Sequence, residues 1–112
     1  MRLSAEKMPV VAKEFVMTYL LPKVPSVWVQ FLGFCSEPYL ERASMAIVNN
    51  LLPGGRLLTV VEEDGCIDLD MMKTSVFNAL EKVGGRVNLY GIYTADREDF
   101  HMFFEIARRH VV

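Results

Sequence analysis

A chain of 112 residues has room for one domain with a core large enough to fold without disulfide or metal staples. Apolar residues make up 52 % and charged ones 23 %, more apolar than an average soluble domain, and the surplus is expected to find cover in an oligomer. A formal charge of -2 excludes a general attraction to nucleic acid or anionic lipid, and no apolar run approaches the ~18 to 20 residues of a membrane span.

Residues 1–112 are therefore read as a single α/β domain. The opening MRLSAEKMPVVAKEF interrupts its apolar residues with Glu6, Lys13 and Glu14, unlike the continuous core of an export signal, so a cytoplasmic location is expected. There, Cys35 and Cys66 are expected to be reduced, buried and small rather than bridged.

Ser4 to Leu21 reads as a helix, with Met8, Val11, Ala12, Phe15, Tyr19 and Leu20 at helical spacing and its regular part starting near Pro9. Pro22 and Pro25 end it. VWVQFLGF, 27 to 34, is apolar on both alternating faces and predicts a strand covered on both sides. Ser36 then caps a helix whose buried stripe is Leu40, Ala43, Ile47 and Leu51. Pro53, Gly54 and Gly55 stop that helix and release a second strand, Arg56 to Glu62.

Asp64-Gly65 carries a hairpin signal toward Cys66 to Asp70, although Asp68 or Asp70 equally suits the cap of the next helix. Met72, Val76, Leu80 and Val83 form the stripe of that helix, and Gly84 with Gly85 ends it. RVNLYGIY, 86 to 93, predicts a third strand. Asp96 caps a last helix that buries Phe100, Phe103, Phe104 and Ala107.

Gly-Gly-Arg recurs at 54–56 and 84–86, each time between a helix stop and a strand start. Alternation of helices with strands apolar on both faces predicts a three-layer α/β/α sandwich. It would hold four helices and a small, mainly parallel sheet of three strands, with room for a short fourth at 66–69. The alternative is a ferredoxin-like βαββαβ arrangement, which requires Cys66 to Asp70 as a central strand.

The run LLPGGRLLTV, 51 to 60, resembles the segment of class I S-adenosylmethionine-dependent methyltransferases in which a helix ends at Pro-Gly-Gly before a sheet strand. The flanking order of elements is similar over Val27 to Val83. The family's glycine-rich cofactor loop belongs after the first strand, where this chain has CSEPY. The resemblance thus implies architecture and transfers no binding residue, and no cofactor is expected.

In a parallel sheet the strand ends share one rim, where ligands of open α/β sheets usually bind. That rim would gather Cys35, Ser36 and Glu37, then Glu62, Glu63 and Asp64, then Thr94, Asp96, Glu98 and Asp99. Lys23, Arg56 and Arg86 would lie at the opposite rim. Glu62, Glu63, Asp64, Asp68 and Asp96 form the candidate set for a hard divalent cation, since carboxylates supply its oxygen ligands. Acids at helix N-termini are equally what the macrodipole favours.

Other chemistry is thinner. His101 and Glu105 lie one helical turn apart with no nucleophile between them, and Cys35 at a helix start lacks a partner histidine in the nearby sequence. Trp28, Tyr90 and Tyr93 are candidate interface aromatics, and Met45, Met71, Met72 and Met102 candidate core fillers.

The function expected from these residues is a non-catalytic protein-interaction or regulatory module acting through a homodimer or a partner protein, which an acidic rim would make basic. The alternative is a small enzyme or ligand-binding protein with a divalent cation at that rim.

Overall fold

The computed structural model describes residues 1–51, 64–89, 91 and 93–111. The chain opens with a short strand, β1 (Arg2–Ser4), and a 3-10 turn (Ala5–Lys7). Helix α1 (Met8–Phe15) follows, with Pro9 in its first turn where a missing N–H costs no bond. A π-helical turn (Val16–Leu20) and a 3-10 turn (Leu21–Lys23) continue it. Within that stretch the Leu21 N–H reaches the Val16 carbonyl, and the Thr18 hydroxyl donates to the Glu14 carbonyl at 2.6 Å. Such back-bonding from a threonine competes with the regular ladder.

The segment expected as the first strand is a helix, α2 (Ser26–Gly33). Pro25 lies just before it in an extended conformation, and its carbonyl accepts the Trp28 N–H at 3.0 Å. A short apolar run satisfies strand and helix patterns alike, and a helix supplies its own backbone partners where no neighbouring strand does. In helical register Trp28, Leu32 and Cys35 follow the i, i+4, i+7 pattern, with Leu32 buried in the core and Trp28 and Cys35 packed against it. Helix α3 (Glu37–Leu51) comes next and turns Leu40, Ser44, Ile47, Val48 and Leu51 inward.

Strand β2 (Cys66–Asp68) corresponds to the short strand allowed at 66–69, but its ladder partner is β1, antiparallel, with Leu3 opposite Ile67. Both side chains are fully buried, and apolar burial of about 1.5 to 3 kcal/mol each is what holds so short a pair in place. Gly65, at φ +76°, turns the chain into β2, and its carbonyl accepts the Ala5 N–H at 2.9 Å.

Helix α4 (Leu69–Lys82) is capped by Asp68, whose carboxylate accepts the Asp70 and Met71 N–H groups at 3.0 and 3.2 Å. It ends in a Schellman motif: the Gly85 N–H bonds the Leu80 carbonyl and the Gly84 N–H the Glu81 carbonyl, with both glycines at positive φ. Met72, Val76 and Leu80 are buried as expected, whereas Val83 closes the helix half-exposed.

The expected third strand is a hairpin. Strands β3 (Arg86–Leu89) and β4 (Tyr93–Asp96) pair antiparallel around Gly91, which sits at φ +71° and donates its N–H to the Asn88 side chain at 2.5 Å. Helix α5 (Arg97–Arg108) completes the described chain, with Phe100, Phe103, Phe104, Ile106 and Ala107 buried. The Phe15 and Phe103 rings meet edge to face at 5.3 Å, joining α1 to α5 in one core.

The expected α/β/α sandwich and its ferredoxin-like alternative are both overturned. The described structure is mostly helical, and its two sheets are separate antiparallel pairs of two strands. The expected strand at 56–62, and the glycine turn before it, lie outside the described residues. The shared acidic rim goes with the sheet that would have built it. Arg86, expected at a basic rim, stands opposite Asp96, expected at the acidic one, and Lys23 sits on Asp99.

Candidate functional site

The surface that stands out is the corner where α2 meets the start of α3. Leu32 pins α2 to the core by one edge. The same helical register throws Phe31 and Phe34 outward, 62 % and 91 % exposed, and Tyr39 on the first turn of α3 joins them at 63 %. Large aromatics grouped in the open cost hydrophobic free energy that a free monomer does not recover, and such patches mark interaction sites. Beside them, Trp28, Phe31, Ala43, Ala46 and Ile47 line an apolar groove of about 470 Å³. Phe31 and Ala43 also border the adjoining hollow that holds Phe34, Tyr39 and Arg42.

The charge pattern agrees with the shape. SVWVQFLG, the whole of α2, carries no ionisable side chain. Charges of both signs appear only at the edge, on α3. Glu37 is held by Lys13 at 2.7 Å, and the Arg42 guanidinium lies 5.9 Å from the Tyr39 ring centre. An apolar centre inside a mixed polar rim is the anatomy of a protein–protein interface.

A second constellation is polar and buried. The Asp99 side chain, 4 % exposed, accepts the Asp96 N–H at 2.9 Å and the Lys23 ammonium at 3.3 Å, and it faces the Tyr19 and Tyr93 hydroxyls. Asp96 in turn accepts the Asp99 N–H, so the two aspartates close a capping box at the start of α5. Burial alone would raise the Asp99 carboxyl. The Asp96 N–H, both hydroxyls and the ammonium outweigh it and hold the group below the ordinary carboxylate range. Burial, then the hydrogen bond to this carboxylate, pushes the Tyr93 hydroxyl upward. Lys23 also donates to the Tyr19 oxygen at 2.7 Å and lies 4.0 Å from that ring's centre.

Chemically this cluster is a fastener. One carboxylate joins the end of the first helical stretch, β4 and the N-terminus of α5, and its acceptor capacity is spent on protein donors.

The residues singled out from sequence are scattered. Of the candidate cation ligands, Glu62 and Glu63 lie outside the described residues. Asp64 pairs with Arg2, Asp68 caps α4, and Asp96, at the end of the β3–β4 hairpin, caps α5. Among the described residues no group of three or more such side chains could hold a metal ion. Of the candidate interface aromatics, Trp28 lines the apolar groove and Tyr93 belongs to the Asp99 cluster, while Tyr90 lies outside the described residues.

His101 and Glu105 do not act together. The His101 ring rests 4.6 Å from that of Phe77, and Glu105 bonds Arg108. The methionines divide, with Met72 buried, Met45 and Met102 half-buried against the core and Met71 exposed.

The sequence does not single out Phe31 or Tyr39, and it places Phe34 only as the last residue of the expected strand 27–34, which is here a helix and the turn after it. Helical spacing in 28–35 sets Phe34 off the Trp28–Leu32–Cys35 stripe and could have found that residue, whereas no local pattern marks Phe31 or Tyr39. No protein-family model, characterised protein or solved structure matches this chain.

Proposed function

We propose that this protein is a non-catalytic interaction module whose docking surface is the aromatic corner of α2 and α3. The observation that carries the reading is the joint exposure of Phe31, Phe34 and Tyr39 beside an apolar groove, on a helix without charge. The Asp99 cluster supports it by contrast, because the polar groups there are committed to holding the fold and leave no acid, base or nucleophile poised for chemistry. Cys35 and Cys66 are unbridged and half-buried, which supports a reducing compartment such as the cytoplasm. No described helix is long and apolar enough to cross a membrane.

The test is photo-crosslinking in the cells of origin, with benzoylphenylalanine placed at Phe34 and, as a control, at the exposed Met71 of α4. Protein adducts at position 34 and none at 71 are the expected result. Absence of any adduct at 34 would refute a docking role for this corner.

A further inference from the structure

We infer that the occupant of this corner is a second copy of the chain, joined about a two-fold axis so that Phe34 of each copy enters the Trp28–Phe31–Ala43–Ala46–Ile47 groove of the other. The inference rests on the docking role assigned above and names its partner.

A two-fold interface must be self-complementary, since one patch meets its own copy. Here the projecting group and the recess lie on the same surface. Phe34 stands 91 % exposed, and the groove next to it is walled by Trp28, Phe31 and Ile47 with two alanines between them. Its volume of about 470 Å³ is larger than an aromatic side chain.

Charge points the same way. A partner chosen by charge would need a field of one sign, and α2 has none. The rim carries charges of both signs, Glu37 and Glu41 with Arg42 next to Glu41, so a copy can bring opposite charges to the same edge, whereas a purely acidic or purely basic partner would meet repulsion from part of it.

Area is the third argument. At ~200 Å² for a large aromatic, the exposed fractions of Phe31, Phe34 and Tyr39 amount to about 430 Å². That is about half of the ~800 Å² each partner contributes to a stable interface, before the groove walls and rim are added.

Sedimentation velocity of the full chain across micromolar concentrations reads the proposal directly, with circular dichroism as the check on folding. The wild type should be dimeric with a dissociation constant of about 1 µM or below. Phe34→Asp should weaken association roughly 30-fold or more, the cost of losing a hot-spot aromatic, with an unchanged spectrum because the ring is exposed in the monomer. Ala46→Glu, which places a charge in the groove from the opposite side of the contact, should do the same, and Met71→Asp should leave association intact.

A wild type that stays monomeric throughout the range overturns the inference, as does a dimer that survives both Phe34→Asp and Ala46→Glu. Crosslinks from position 34 to a different protein, with a monomeric chain, would leave the docking role standing and remove the second copy as its occupant.

Discussion

Asp99→Asn is the sharpest probe of what holds this fold together. The carboxylate is nearly buried and faces four donors: the Asp96 N–H, the Lys23 ammonium and the Tyr19 and Tyr93 hydroxyls. An amide of the same shape offers one acceptor oxygen in place of two and turns an NH₂ toward groups that are themselves donors. Hydrogen bonds to a charged group contribute about 1.5 to 3 kcal/mol each, but Lys23 is 43 % exposed and regains water, so its share is discounted. A net loss of about 3 kcal/mol at neutral pH follows, or roughly 12 °C in melting temperature for a chain of this size.

The pH dependence gives the reasoning a second handle. Asp99 has a folded-state pKa below the ordinary value of 3.8, so its contribution is fully present above that value and is lost as pH falls through the folded pKa. The gap between wild type and Asp99→Asn should be widest near neutrality and close as the solution is acidified below about pH 3.8. Urea denaturation of both proteins at a series of pH values measures it. A gap under about 1 kcal/mol at neutral pH, or one that does not narrow in acid, would refute the account of Asp99 as an ionised fastener.

Two further substitutions examine single joints. Asp68→Ala removes the α4 cap and should cost about 1 kcal/mol in denaturant unfolding, with faster hydrogen exchange at the Asp70 and Met71 amides; unchanged exchange would mean the cap is not made. Leu3→Ala empties a fully buried site on β1 and should cost about 3 kcal/mol in the same assay, whereas a cost below about 1 kcal/mol would show that the N-terminal strand does not belong to the core.

Much of the helical content was legible because it is written in local terms. Of the stripes Leu40–Ala43–Ile47–Leu51, Met72–Val76–Leu80–Val83 and Phe100–Phe103–Phe104–Ala107, which recur at helical spacing, the structure buries all but Ala43 and Val83, the first half-buried and the second half-exposed. Asp96 and the Gly84-Gly85 pair act through bonds to residues at most five positions away, so side-chain chemistry alone places those boundaries. The strands were another matter. RVNLYGIY alternates as one strand would, and only the hydrogen bonds around Gly91 divide it in two. Arg2–Ser4 is too short to show any period, and its partner, Cys66–Asp68, lies more than sixty residues along the chain.

The aromatic corner depends on the same division. Sequence by itself determined that residues 27–34 are uncharged and almost wholly apolar, and that the chain is more apolar in composition than an average soluble domain. Whether that run pairs as a strand or coils as a helix is a choice between neighbours and self-sufficiency, because a strand must borrow its hydrogen bonds and a helix need not. With no ladder partner beside it among the described residues, α2 coils, buries Leu32 and leaves Phe34 in the open. Tertiary structure alone decided that, and it likewise carried Lys23 and Tyr19 across the molecule to Asp99, a meeting no local pattern encodes.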